Sequence, residues 1–269
     1  MLLLSHPTWH VGLSERRLVL ARAAPPWARR SASCESVPCT PNQDIGPEPW
    51  RAVLGTLARW LSGLDSRPPT LRVVLSGCFV RWQLLPWRNE LTQPQEMAAY
   101  AALRFREVYG AAADHWRILY AAHVPGRSMP ACAVDIAMME AIRGACLAAG
   151  ARLATVTPYF SSAFGHWQRD LDSRAAWFGV VEPDCLSLGL MRRQNWLSLR
   201  TERLEGDWRE GLARMMAQAG IAADPGQVSP PLYLAGMGER PERGGTLPFS
   251  WLQPRAGGAL RDCRLAFGV

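Results

Sequence analysis

The chain has 269 residues, 48% of them hydrophobic, and 30 basic side chains against 23 acidic ones give a net charge of +7. Every basic residue is arginine, and the arginines are scattered, with pairs only at Arg16-Arg17, Arg29-Arg30 and Arg192-Arg193; a nucleic-acid binder would show a stripe or a known module, so no nucleic-acid partner is expected. The length suffices for one large domain or two smaller ones with real cores, and no apolar run approaches a membrane span, so a soluble chain is expected.

Trp9 to Arg22 reads as a hairpin, with Val11 and Leu13 facing Leu18 and Leu20 across a turn at Ser14-Glu15-Arg16. Ser31 to Pro38 reads as a polar edge strand, and Thr40 to Pro49 as a linker. Pro49 to Leu64 places Trp50, Val53, Leu54, Leu57, Trp60, Leu61 and Leu64 on one helical face. Leu71 to Leu75 is an apolar run interrupted only by Arg72 and reads as a strand buried on both faces. After a turn at Ser76-Gly77-Cys78, Phe79 to Leu85 is predicted to be a strand with Phe79, Arg81 and Gln83 on one face and Val80, Trp82 and Leu84 on the other, ended by Pro86. Glu96 to Tyr109 is predicted to be a helix stopped by Gly110.

Trp116 to Val124 and Ala131 to Val134 read as strands, Asp135 to Ala149 as a helix capped by Asp135, Leu153 to Thr157 as a strand and Pro158 to Trp167 as a short helix. Ala176 to Val181, Leu186 to Met191 and Trp196 to Arg203 form a three-strand meander, followed by a helix over Gly206 to Gly220 and a strand over Pro231 to Ala235. Glu239 to Gly258 is loop-like, and Leu260 to Phe267 reads as an edge strand. The element order β-β-β-α-β therefore occurs twice, at Trp9 to Leu75 and at Ala176 to Ala235, as in actin-like, ribonuclease-H-type folds. The expected fold class is α/β: an actin-like two-domain fold with mixed sheets flanked by helices. Residues 1–172 would form the first domain, including an inserted strand-helix subdomain at about 79–130, and residues 173–269 a reduced second domain with a loop-rich tail.

Reactive chemistry is sparse. The five histidines show no ligand spacing, and neither G-x-S-x-G nor H-E-x-x-H occurs. The seven cysteines are dispersed without C-x-x-C and read as buried, reduced thiols, which favours a cytosolic compartment. Of the twelve tryptophans, Trp9, Trp60 and Trp177 read as core, while Trp82 and Trp87 fit either a core or a partner groove.

Three segments resemble the PilM/GspL group of actin-like proteins of type IV pilus and type II secretion machines. They are FVRWQLLPW with its following helix to RFREVYG, ACAVDIAMMEAIRGACLAAGARLATVTPYFSSAF, and AAWFGVVEPDCLSLGLMRRQNWLSLRTERL. The resemblance runs to about Gly238 and implies a cytoplasmic scaffold, peripheral to the inner membrane. Its implied partners are a membrane-anchored assembly protein, a motor ATPase and a second copy of the chain. It also places a groove for an extended partner peptide near Arg81, Trp82, Pro86 and Trp87. Nucleotide-binding relatives of this fold use two glycine-containing hairpin loops and an adenosine-side element. Here these would be Gly12, Ser14 and Glu15, then Glu182, then Gly236 and Gly238. Pro183 lacks an N–H and no glycine follows Glu182, so the second loop is degenerate. The expectation is a non-enzymatic protein without cofactor, with an ATP-binding protein or ATPase using Mg²⁺ as the alternative.

Overall fold

The structure, a computed structural model, describes residues 7–22, 33–39, 48–64, 68–91, 93–122, 124–172, 174–219, 229–237, 248–253 and 263–269. In chain order the elements are β1 (Thr8–Leu13), β2 (Arg17–Arg22), β3 (Ser33–Pro38), α1 (Arg51–Ser62), β4 (Thr70–Leu75), β5 (Arg81–Leu85), α2 (Pro94–Tyr109), β6 (Trp116–Tyr120), β7 (Met129–Asp135), α3 (Ile136–Ala148), β8 (Arg152–Pro158), α4 (Tyr159–Trp167), β9 (Ala175–Val181), β10 (Cys185–Arg192), β11 (Asn195–Arg203), α5 (Trp208–Gln218), β12 (Leu232–Gly236), β13 (Ser250–Trp251) and α6 (Arg264–Phe267).

The strands form a five-stranded sheet ordered β3-β2-β1-β4-β8, a second ordered β11-β10-β9-β12-β13, and a three-stranded sheet ordered β5-β7-β6. The first four positions of the two large sheets match: a meander, then a parallel strand joined to its first member across a helix. This is the doubled β-β-β-α-β order of the sequence expressed as topology. Among the described residues the second half has no counterpart of α3 or of the inserted sheet.

Burial follows the sequence pattern. Parallel pairing sets Val11 beside Val73 and Leu13 beside Leu75, all buried on one face of the first sheet; on the other face Val74 is buried and Arg72 is exposed, so the strand expected to be buried on both faces is so only at its C-terminal end. α1 turns Val53, Leu54, Leu57 and Leu61 inward and packs beside α3, whose Met138, Ile142 and Cys146 are buried. Asp135 caps α3, its carboxylate accepting the Met138 N–H at 3.1 Å. α2 starts with a capping box between Gln93 and Glu96 and Pro94 in its first turn, and lays Met97, Ala101 and Phe105 on Leu85, Met129, Ala131 and Ala133. Phe160 of α4 joins the sheets, meeting Trp82 at 5.7 Å, Phe178 at 5.4 Å and Trp196 at 5.7 Å.

Four further expectations change. Phe79 lies in a 3-10 turn over Gly77–Phe79, and β5 begins only at Arg81, because the turn is tied by Phe79 N–H to Ser76 O and Val80 N–H to Gly77 O. The strand expected over Trp116 to Val124 ends at Tyr120. The edge strand expected over Leu260 to Phe267 is, in its described part, the helix α6. It buries Arg264, Leu265 and Ala266 against β1, β2 and β4 and is closed by Gly268 in the left-handed region (φ 67°). Residues 260–262 lie outside the described residues. Finally, Cys34 of β3 is bonded to Cys263 across 229 residues of sequence, while Cys39, Cys78, Cys132, Cys146 and Cys185 are free and buried.

Candidate functional site

In the actin-like arrangement a nucleotide would lie between the β1–β2 and β9–β10 hairpins. The structure brings these two turns together. At the first, Ser14 is buried and its N–H and hydroxyl both donate to Arg17 O, at 3.0 and 3.1 Å. Glu15 accepts both guanidinium nitrogens of Arg203 from β11, Nη1 at 2.9 Å. Arg16 Nε lies 3.3 Å from Asp184 Oδ1 in the second turn. The charges at the hairpin tips therefore neutralise each other across the junction.

At the second turn Glu182 is almost wholly buried, 3% exposed. Its N–H donates to Cys185 O at 2.9 Å, and its Oε1 accepts the Gly77 N–H at 2.8 Å and the Cys185 thiol at 3.3 Å. Burial pushes the Glu182 carboxyl up, against the lowering effect of hydrogen bonds from Ser76, Gly77 and Cys185. The Cys185 thiol is held well above its ordinary range by its hydrogen bond with Cys78 and by burial, which makes it a poor nucleophile. The turn Ser76-Gly77-Cys78 is seated directly on this hairpin. A Cβ at Gly77 would lie 2.8 Å from Ser187 Oγ and 3.0 Å from Glu182 Oε1.

The glycines of the expected nucleotide site are explained by internal packing. A Cβ at Gly12 would lie 2.6 Å from Leu265 Cγ, so Gly12 lets α6 approach β1. A Cβ at Gly236 would collide with Val181 O, which also accepts the Met237 N–H at 3.0 Å; Gly236 thus lets β12 close on β9. Its carbonyl accepts Arg264 Nη1 at 2.8 Å. Gly238 lies outside the described residues. Nearby, the Tyr159 hydroxyl, pushed up chiefly by burial, donates to Val269 O at 2.8 Å.

A magnesium nucleotide does not fit these residues. Phosphate needs free main-chain donors, and the N–H groups of Ser14, Gly77 and Glu182 already donate within the protein. Mg²⁺ needs accessible carboxylate oxygens, yet Glu15 is engaged by Arg203, and Glu182 is enclosed with its Oε1 taken by the Gly77 N–H and the Cys185 thiol. Among the described residues no cluster of His, Cys, Asp and Glu has metal-site geometry.

The expected partner residues separate. Trp82 is core, 8% exposed against Phe160, and Arg81 Nη1 binds Cys78 O at 3.1 Å and Val80 O at 3.3 Å. Pro86 and Trp87 are exposed, with Tyr100 donating its hydroxyl to Pro86 O at 3.4 Å. Arg81 and Trp82 line a cavity of about 500 Å³ between β5 and β11, which also includes Tyr109 and Arg200. Sequence reasoning missed Arg203, Asp184, Gly77 and Arg264. Their roles come from contacts between elements far apart in the chain, and no local spacing signals them.

No protein-family model matches the sequence, and no curated protein matches it by sequence. Solved structures do match by fold. The cytoplasmic domain of EpsL, an inner membrane component of the type II secretion system of Vibrio cholerae, superposes with a TM-score of 0.57 at 12% identity, covering 96% of this chain and 93% of that one. A Bacteroides thetaiotaomicron protein with actin-like ATPase fold and unknown function gives 0.56 at 10% identity, over 88% and 84%. A chain of the PilM-PilN type IV pilus biogenesis complex gives 0.55 at 18% identity, over 86% and 81%. The fold is actin-like. At these identities the likeness extends to architecture, and the hairpin junction described above is this chain's own version of it.

Proposed function

We propose that this protein is a non-enzymatic scaffold of actin-like fold, serving a type IV pilus or type II secretion assembly from the cytoplasmic side of the inner membrane. The observation that carries the non-enzymatic reading is the self-sealed junction between the hairpins. Gly77 sits on Glu182, Leu265 on Gly12, and Arg203 and Asp184 satisfy the charges of Glu15 and Arg16. The assembly role draws on the fold likeness to the EpsL cytoplasmic domain and to a chain of the PilM-PilN complex. A membrane-anchored assembly protein is the proposed principal partner, with a motor ATPase and a second copy of the chain as further partners. Among the described residues no helix is long and apolar enough to cross a membrane, which fits attachment through such a partner. The division at about residue 172 belongs to the same proposal, with α6 returning from the second half to the first sheet. The Cys34–Cys263 bond is the observation on the other side, since a reducing cytosol would open it.

The test is thermal unfolding with and without millimolar Mg-ATP. A ligand that binds only the native state raises the melting temperature by mass action. No shift is expected. A saturable shift of several degrees would overturn the proposal and make the hairpin junction a nucleotide site.

A further inference from the structure

β3 is the polar edge of the first sheet, paired with β2 alone among the described residues and exposed along most of its length. Its register nonetheless turns one side chain toward the molecule. Cys34 lies opposite Ala21 of β2, and Ala21 lies opposite His10 of β1. Directly opposed residues share a face, so Cys34, Ala21 and His10 form one row on the face that α6 covers. Phe267 of α6 meets the His10 ring at 4.8 Å, and Cys263, the residue that precedes the helix, is bonded to Cys34 at the end of the row. The two Cα atoms are 6.0 Å apart, an ordinary span for a disulfide.

α6 has four residues, too few to hold a helix alone. Its own bonds are those of a single turn: Phe267 N–H to Cys263 O at 3.0 Å, Gly268 N–H to Leu265 O at 3.2 Å and Val269 N–H to Arg264 O at 3.1 Å. The rest of its support comes from other elements. Leu265 packs on Gly12, Arg264 Nη1 donates to Gly236 O, and the Tyr159 hydroxyl donates to Val269 O. The bond at Cys263 adds a covalent tie across 229 residues of sequence, and a cross-link over so long a loop removes much of the freedom that a detached segment would gain.

The two sulfurs differ in access. Cys263 is wholly buried, whereas Cys34 is partly exposed on an edge strand. The other five cysteines are free and buried. Burial pushes the Cys132 thiol up to about 11 and also raises that of Cys146, so neither supplies the thiolate that exchange requires. A reagent that acts on disulfides therefore has a single point of entry, Cys34 Sγ.

We propose that the Cys34–Cys263 bond is a redox-operated clasp on α6 and that Cys34 Sγ is its site of exchange with a dithiol reductant. One thiolate of the dithiol attacks Cys34 Sγ, the S–S bond breaks, and Cys263 leaves as a thiolate and takes up a proton. The second thiolate of the reductant then attacks its own sulfur in the mixed disulfide and releases Cys34, which is protonated in turn. Two electrons pass to the protein, and the reductant departs as a disulfide. Closed, the clasp holds α6 on the first sheet and, through Arg264, against Gly236 of the second. Open, it leaves α6 on its non-covalent contacts, and the segment detaches more often, uncovering Gly12 and freeing Gly236 O. The protein is thus tightened at the junction of its halves under oxidising conditions and loosened there under reducing ones. Nothing in this depends on a scaffold role.

The test uses the intact protein, first treated with oxidised dithiothreitol and then reduced with dithiothreitol in the absence of denaturant. Alkylation followed by mass measurement detects the released thiol, and hydrogen exchange follows the amides of Phe267, Gly268 and Val269. The oxidised protein is expected to take no label, since its free cysteines are buried. Reduction should open Cys34 to alkylation and speed exchange at the three amides about tenfold or more, with the central strand β10 unchanged. Reoxidation should restore protection. Cys34→Ser, on the polar edge strand, should exchange at the reduced rate from the outset and ignore the reductant. The two redox states are forms of one wild-type chain, so the comparison stands even if the variant folds poorly. Failure of the bond to form, reduction only in denaturant, or equal protection of α6 in the two states would each overturn the proposal.

Discussion

Glu182 places an ionisable carboxyl in an enclosed setting, and that gives a pH dependence of definite sign. Burial raises its folded-state value above the ordinary 4.5, so at pH between the unfolded and folded values the native state binds more protons than the unfolded chain. Its favourable contribution is complete below the unfolded value and is lost as pH rises through the folded one. Glu182→Gln keeps an oxygen for the Gly77 N–H and removes the ionisation. The variant is expected to flatten the fall of melting temperature with rising pH, with the largest gain over the parent at the alkaline end. A parallel profile would mean that the carboxyl is ionised in place. Gly236 gives a second test at this scale. Gly236→Ala drives a Cβ into Val181 O, and relief requires β12 to move from β9. A loss of roughly 1–3 kcal/mol in denaturant unfolding is expected. Both residues stand out in the sequence, the glycine by its type and the acid by its place in a hairpin. What they touch was not legible, because Gly77 and Glu182 meet across 105 residues of chain.

At the scale of elements, packing and surface charge make very different contributions. The Glu15–Arg203 pair joins the two halves, but Arg203 is half exposed, so solvent screening limits its worth. Arg203→Ala is expected to change stability by about 1 kcal/mol or less. Phe160 of α4 is buried where β5, β9 and β11 converge, and Phe160→Ala should cost about 3–5 kcal/mol. Chemical denaturation of the two variants tests that contrast. If Arg203→Ala were the costlier, the hairpin tips and not the aromatic junction would hold the halves together. The elements legible in the sequence were those with their own pattern: α1 and α3 by their apolar faces, and the central strands by their short apolar runs. β13, of two residues, and α6, of four, carry no such period. They exist because β12 offers a parallel edge and β1 a glycine for close approach, and neither fact is local.

For the whole molecule, the main core cluster is continuous across the sheets, running from Val11 and Leu75 through Tyr159 and Phe160 to Phe178, Val180 and Leu265. The doubled element order visible in the sequence suggests two separable halves, whereas the side chains bind them into one unit. The C-terminal segment is central to this. Leu265 and Ala266 cover Gly12, Arg264 donates to Gly236 O, and Tyr159 donates to Val269 O, so α6 touches both sheets and the helix between them. Two groups of tryptophans report on the halves separately: Trp9 and Trp60, 5.1 Å apart beside the first sheet, and Trp208 with Trp251 on the second. Single-tryptophan variants retaining one reporter at a time should give coincident thermal transitions in the full chain, the mark of one cooperative unit. Removing residues 263–269 uncovers the face of β1 and deletes the contacts to Gly236 and Tyr159. The first-sheet reporter is then expected to melt at a lower temperature, and the two transitions to separate. Coincident and unshifted transitions in the shortened chain would show that the sheets hold each other without α6, leaving Gly12 without the packing role assigned to it.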